Sequence, residues 1–389
     1  MRVVRIITRL NVGGPAIQAS MLSDRLRGRG FETLLVHGQL GAGEGDMRYM
    51  LDPGVRTRYL PALRRPVAPI HDAVALLQLV DLLRDERPDI VHTHMAKAGT
   101  LGRLAAAVYN RTAGRGRPAR VVHTYHGHVL EGYFSDRMAR IFTSAERQLA
   151  RLSDAIVAIS PQIRDELLDE HRIGRADLYR IIPLGFDLDQ FAAVDDAART
   201  RARAALKIPA GAGVVTTVGR LTAIKQHHLF LEAAQRIGEM HPEAIFLVVG
   251  DGELRSGLEA AAAALGLADR VRFLGWRRDL ATIYGASDVF LLTSRNEGTP
   301  VALIESLAAG VPGVSTDVGG IRDVIDSDQV GLLAPFGDAA LLAEHVNALL
   351  ADPDRRRRMG DRGRRSVAAR YAIDRLVDDV ERLYLELLN

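Results

Sequence analysis

Asn296-Glu297-Gly298-Thr299-Pro300-Val301-Ala302-Leu303-Ile304-Glu305 decides how this chain folds. The run before it, Asp288-Val289-Phe290-Leu291-Leu292, is short and apolar, the pattern of a buried parallel strand. The run after it predicts a helix with Thr299 as N-cap and Pro300 at the first helical position, where a missing N–H costs nothing. Glu297 then lies in the loop at a strand's carboxyl end, where open α/β sheets hold ligands. Glu305 falls about two turns into the helix, so the two carboxylates can touch parts of one ligand roughly 10 Å apart. Between them the helix N-terminus offers N–H groups and partial positive charge to an anion. A ligand with a polyhydroxyl group, a diphosphate and a ribose suits that layout.

The same unit of strand, loop and helix recurs along the chain. Val3–Ile7 reads as the first strand, followed by Gly13-Gly14 and a helix over 16–29. Glycine lets a backbone approach a phosphate, although the Gly-x-Gly-x-x-Gly of a dinucleotide fingerprint is absent. Further strands are expected at 32–36, at 88–94 ending in His92 and His94 with Lys97 beyond, and at 121–128, which carries His123, His126 and His128. After a Pro-x-Gly turn at 183–185, a second series begins with Val214–Val218, Gly219-Arg220-Leu221 and Lys225. Two cations between a strand's carboxyl end and a helix suit a diphosphate. Five histidines at two strand ends invite a metal, but the carboxylate common in such sites is missing from these stretches, with only Asp89 and Glu131 near in sequence. Asp187-x-Asp189 sits in the turn between the two series and is read as structural.

Composition bounds the class. A chain of 389 residues, 47% hydrophobic and 25% charged, is too long for one ordinary core and fits two globular domains. The reading predicts neither a cleaved leader nor a membrane span, and the lack of cysteine excludes disulfides and thiolate metal sites while fitting a cytoplasmic location. Residues 1–190 hold 27 Lys+Arg against 21 Asp+Glu, a balance of +6, and the remainder balances at −3. A basic N-terminal half suggests an anionic acceptor or peripheral contact with an anionic membrane. Arginine dominates the basic residues, lysine occurring only at 97, 207 and 225, and no motif points to nucleic acid. The arginine runs 355–358 and 362–365 read as solvated helix faces.

Glu297-x7-Glu305 with Gly-Thr-Pro inside it, Arg220 with Lys225 five residues on, His126 before a glycine, and Gly13-Gly14 together resemble the retaining glycosyltransferases of family 4, bacterial type. The resemblance covers nearly the whole chain. It implies an α/β fold of the GT-B kind, two Rossmann-like doubly wound parallel-sheet domains facing a cleft. These would be an acceptor-binding domain over 1–190, a nucleotide-sugar domain over 191–372, and a last helix, 373–389, returning to the first. It implies a UDP-sugar donor, a hydroxyl acceptor such as a saccharide, lipid-linked saccharide or small molecule, and no cofactor or metal. Arg220, Lys225, Gly13 and Gly14 would hold the diphosphate. Glu297 with Gly298, Thr299 and Pro300 would hold the sugar, Glu305 the ribose, and the backbone at Trp276 and Arg277 the base. His126 would stand beside the reacting carbon, with His94 and Lys97 on the acceptor side. A sugar-nucleotide 2-epimerase on the same fold and a non-catalytic binding protein are the alternatives. Threonine at 299, where many relatives carry phenylalanine, leaves the donor sugar open.

Overall fold

Short apolar runs bounded by glycine, aspartate or histidine become the strands, because side chains buried on both faces leave little room for polar alternation. In chain order these are β1 (Arg2–Ile7), β2 (Glu32–His37), β3 (Arg56–Tyr59), β4 (Ile90–His94), β5 (Arg120–Tyr125), β6 (Ala155–Ala158) and β7 (Tyr179–Ile181). Then follow β8 (Val214–Val218), β9 (Ile245–Val249), β10 (Val271–Gly275), β11 (Val289–Leu292), β12 (Gly313–Thr316) and β13 (Gly331–Ala334). This is a computed structural model; it describes residues 1–11, 13–41, 44–48, 51–127 and 136–389, with only the backbone described for 136–139. His128 and Glu131, which entered the sequence reading, lie outside the described residues.

The chain forms two compact units, Met1–Phe186 with Ile373–Asn389, and Asp187–Ala372. The first break lies four residues before the expected one. The short helix Asp189–Ala192 belongs to the second unit, where Phe191 meets the Tyr284 ring edge-on at 6 Å or less (5.6 Å between centroids). The helix Ile373–Leu388, though last in the chain, is part of the first unit.

Both sheets are wholly parallel. The first runs β3-β2-β1-β4-β5-β6-β7 and the second β10-β9-β8-β11-β12-β13. Strand alternation in the first unit sends Val4, Ile6 and Val91 to one face, against Leu79, Leu83 and Leu101 of the helices Pro69–Glu86 and Ala96–Arg111. Val3, Ile90 and Val122 face the other way, against Leu22 and Leu26 of Gly14–Arg27 and Leu376, Val380 and Tyr384 of the last helix. In each sheet the order reverses next to the first strand, between β1 and β4 and between β8 and β11. That is the topological switch point, where loops leaving opposite faces part and a ligand crevice forms.

Four elements differ from expectation. β3 went unpredicted because its four residues are all exposed and carry no apolar alternation. The helix expected near 101–108 runs Ala96–Arg111, its signal diluted by Gly99 and Gly102. Those glycines are demanded by packing, since added Cβ atoms would lie 2.4 Å from the His123 ring and 2.5 Å from the Thr93 methyl. The first ligand-loop helix starts at Gly14 rather than Ala16. Finally, two of the runs' arginines turn inward. Arg356 donates to the carbonyls of Leu349 and Leu350, and Arg364 to that of Ala309, while Arg355, Arg357, Arg358, Arg362 and Arg365 are exposed.

Candidate functional site

In the second unit the loops after β8 and β11 carry the predicted groups, one on each side of the switch point. Beyond β11 the backbone is pinned before Glu297 is reached. Thr293 Oγ1 donates to the carbonyls of Lys225 and Gln226, and the Arg295 amide donates to Ile224. These bonds tie the two loops together and bring their side chains into contact. Lys225 Nζ donates to Glu297 Oε1 at 2.5 Å, and Ser294 Oγ donates to the same oxygen at 2.5 Å. Glu297 is only 9% exposed, so the pair is shielded from water and its attraction exceeds that of a surface ion pair. Arg220, in the loop after β8, is exposed, and its guanidinium has no partner among the described residues.

The turn at Glu297 is built on glycine from a third loop, the one after β12. The Gly320 amide donates to the Glu297 carbonyl at 2.9 Å. A Cβ on Gly320 would stand 2.0 Å from the Gly298 carbonyl oxygen, and one on Gly319, whose φ is +50°, 2.2 Å from that of Glu297. Only glycine permits the two loops to lie backbone on backbone. Thr316 Oγ1 adds a bond to the Ser294 carbonyl at 2.7 Å. Gly298 itself has open space on its side-chain face.

Thr299 is not the helix cap. The helix is Val301–Ala308 with Pro300 at the cap position, because the Pro300 ψ of 79° is not helical while its carbonyl already accepts from Leu303 and Ile304. Glu305 therefore lies a little over one turn into the helix, not two. Its Oε2 faces Tyr284, whose hydroxyl proton is shared between that oxygen and the Ala302 carbonyl, each at 3.1 Å. Burial pushes the Glu305 carboxyl up to about 7, and the Tyr284 bond offsets only part of this. Arg277 is held by Asp279 in a two-pronged ion pair at 2.7 and 2.5 Å, which raises its pKa. Trp276 is 65% exposed and is not a packing residue.

The first unit gathers its histidines at the carboxyl ends of β4 and β5. His94 is fully buried, and its Nδ1 shares a hydrogen bond with Nε2 of His126 at 2.9 Å. His126 shows part of its surface, yet its Nδ1 is enclosed and has no hydrogen-bond partner among the described residues, as is true of His94 Nε2. Burial lowers the His126 imidazole to about 3 and holds His94 well below the usual range. Gly13 and Gly14 open the helix after β1, the Gly13 carbonyl accepting from Ala16 and Ile17. Lys97 is not free: its ammonium lies 2.7 and 2.6 Å from the two oxygens of Asp72. Asp89, weighed as a metal partner, stands before β4, whereas the histidines end it; it accepts from the Arg2 amide and pairs with Arg117. Among the described residues no group of three or more histidines and carboxylates is placed to hold a metal ion.

Sequence reasoning missed Ser294, Thr316 and Tyr284. Hydroxyls three residues before Glu297, nineteen after it, or twenty-one before Glu305 give no periodic signal. Nothing local in the sequence marks Gly319-Gly320 as the floor of the Glu297 loop.

Known proteins resemble the chain along its whole length. Residues 12–190 match the family described as Glycosyltransferase Family 4, and residues 198–366 that described as Glycosyl transferases group 1. The UDP-Gal:alpha-D-GlcNAc-diphosphoundecaprenol alpha-1,3-galactosyltransferase of Escherichia coli is 31% identical over 349 residues, covering 88% of this chain and 87% of that one. The 2-deoxystreptamine N-acetyl-D-glucosaminyltransferase of Streptomyces fradiae is 31% identical over 386 residues, covering 93% and 88%. Among solved structures, Anabaena HepE in complex with UDP superposes with a TM-score of 0.83 at 20% identity, over 99% of this chain and 100% of that one. A glycosyltransferase from Rickettsia africae superposes at 0.82 with 18% identity, over 100% and 98%. With both halves matched and most of its length shared with such relatives, the chain belongs to the bacterial family 4 glycosyltransferases and has their GT-B fold.

Proposed function

We propose that this glycosyltransferase takes its sugar from a UDP donor, keeps the anomeric configuration, needs no metal, and delivers the sugar to a hydroxyl of a saccharide carried on a lipid diphosphate. The observation that carries the donor reading is the Lys225–Glu297 pair beside the unpaired Arg220 at the second unit's switch point. Two cations can take the two charges that grow on a leaving diphosphate, which supports a reaction without a metal. Preorganised donors of this kind lower a barrier by roughly 3–4 kcal/mol each. Glu297, oriented by Lys225 and Ser294, and the backbone of Gly298–Pro300 would hold the sugar hydroxyls. Glu305 would accept from both ribose hydroxyls, the Trp276–Arg277 backbone would meet the base, and Gly13-Gly14 would meet the diphosphate.

In the step itself the acceptor oxygen bonds to the anomeric carbon on the face the diphosphate leaves. The carbon–oxygen bond to phosphate breaks, and the acceptor proton passes to a phosphate oxygen. No side chain is needed as nucleophile, in contrast to a retaining glycosidase. His126 would orient the sugar, and His94 and Lys97 would serve the acceptor side.

The lipid-linked acceptor is supported by the Escherichia coli relative, whose name gives alpha-D-GlcNAc-diphosphoundecaprenol as its acceptor, and by the +6 balance of residues 1–190. Among the described residues no helix is long and apolar enough to cross a membrane, which suits peripheral contact from the cytoplasmic side. The test is a thermal-shift screen of sugar nucleotides followed by an assay of UDP release with candidate acceptors. A ligand at a hundredfold excess over Kd stabilises by about 2.7 kcal/mol. UDP-sugars that leave the melting unchanged would sink the donor reading. Consumption of donor without acceptor would point to an epimerase instead.

A further inference from the structure

Behind His126 lies a row of polar side chains that the reaction described above does not use. Arg5 on β1 and His92 on β4 are register partners, and His94 follows two residues on, beside Ile7. All three side chains are buried in a layer between the apolar core and the carboxyl edge of the sheet. Arg5 Nη1 donates to Ser23 Oγ at 2.8 Å, and Nη2 donates to Tyr384 Oη at 3.1 Å. Tyr384 Oη lies 2.6 Å from His92 Nδ1, His92 Nε2 lies 2.7 Å from Thr124 Oγ1, and the His92 ring stacks on His94 at 4.4 Å. His94 in turn holds His126.

We propose that His126 serves the reaction as a neutral, fixed hydrogen-bonding group rather than as a proton shuttle, and that His94, His92, Tyr384 and Arg5 are the positioning residues that hold it so. The inference rests on the reading of His126 as a residue of the reacting site. The direction of the chain follows from donor and acceptor chemistry. A guanidinium can only donate, so Tyr384 receives its proton and turns its own single proton to His92 Nδ1. His92 then carries its proton on Nε2 and gives it to Thr124, a fixed neutral tautomer. A second proton on His92 would set two cations on one phenol oxygen in a buried layer, which is expensive.

The same charge closes the exit for a proton arriving at His126. A proton held by His126, or passed on to His94, would make an imidazolium in the pair whose His94 ring stacks on His92 with the Arg5 charge behind it. The groups facing these rings are Arg5 from β1, His123 and His126 from β5 and its loop, and Tyr384 from the last helix; Arg103, near His123, is neutralised by Glu146 at 2.6 Å. Among the described residues, none of the groups that face them supplies a carboxylate. Burial and the Arg5 charge accordingly lower His92 and His94 together.

The test uses the full chain labelled with ¹⁵N-histidine, with ring signals assigned by single His→Asn variants. His92, His94 and His126 should stay neutral from about pH 8 down to about pH 5, with His92 protonated on Nε2. Tyr384→Phe keeps the ring in the core and should release the His92 tautomer. It should lower kcat about fivefold, the worth of one hydrogen bond, with donor KM held within about twofold. A His126 ring that titrates near pH 6.5, or a Tyr384→Phe protein with both tautomer and kcat unchanged, overturns the proposal. His126→Asn separates the two levels: full turnover in that variant would remove His126 from the site, whereas lost turnover beside an unaffected Tyr384→Phe would remove only the positioning chain.

Discussion

Glu305→Gln should make the enzyme more stable and a poorer donor binder, with the gain in stability growing as pH rises. The carboxyl stands at about 7 in the folded protein against 4.5 for a free glutamate, because burial opposes its charge and the hydrogen bond from the Tyr284 hydroxyl offsets only part of that. A folded pKa raised above the unfolded value means that folded protein holds its proton more tightly. Stability from this group is therefore fully present below about pH 4.5 and is lost as pH rises to about 7. The shift of about 2.5 units corresponds to about 3 kcal/mol lost by pH 8, of which under 1 kcal/mol is already lost at pH 5. Glutamine keeps the shape and can still accept from Tyr284, but it cannot ionise. The variant should gain roughly 2 kcal/mol more over the parent at pH 8 than at pH 5, about 4–8 °C in the transition of the second unit by calorimetry. UDP affinity of the parent should rise about tenfold between pH 6 and pH 8 as the carboxylate forms, a trend absent from the variant beyond the ligand's own titration. An equal stability change at both pH values, or a variant that binds UDP as the parent does, would refute the reasoning.

Four further outcomes are expected. Lys225→Met leaves the buried Glu297 with Ser294 alone; calorimetry should show a loss of about 1–3 kcal/mol, and UDP-sugar turnover should fall by at least about a hundredfold. Gly320→Ala sets a Cβ 2.0 Å from the Gly298 carbonyl oxygen, so the Glu297 loop must move and donor affinity should drop more than about tenfold by titration calorimetry. Gly257→Ala, on the exposed face of a helix with open space around it, should leave donor affinity unchanged. Asp72→Asn frees Lys97 from its ion pair and should change acceptor KM by several-fold in steady-state assays while donor KM holds.

How much of this was legible in the sequence depends on whether a property is local. A parallel strand buried on both faces writes itself as a continuous apolar run, so β1, β8 and β11 could be read with the ligand loops that follow them, and the order of loops gave the site. β3 could not be read, because an exposed edge strand of Arg-Thr-Arg-Tyr has no inside to pattern. Charge type was legible at Glu297 and Lys225, but their union was not: it depends on Thr293 and Arg295 tying two loops that lie 70 residues apart in the chain. Thr299 shows the limit of a local rule, since cap chemistry favoured it and the ψ of Pro300 placed the helix one residue later. The histidines show the opposite limit. A cluster at two strand ends invited a metal while lacking the carboxylate for one, but nothing in the spacing showed that burial lowers His94 and His126, or that Tyr384, which bonds His92, comes from the last helix of the molecule. Sequence spacing can say which groups are available to a site. The charge state in which they act is set by surroundings that only the fold supplies: burial raises the Glu305 carboxyl and lowers the His126 imidazole, and so drives both, read alike as polar ligands, toward their neutral forms.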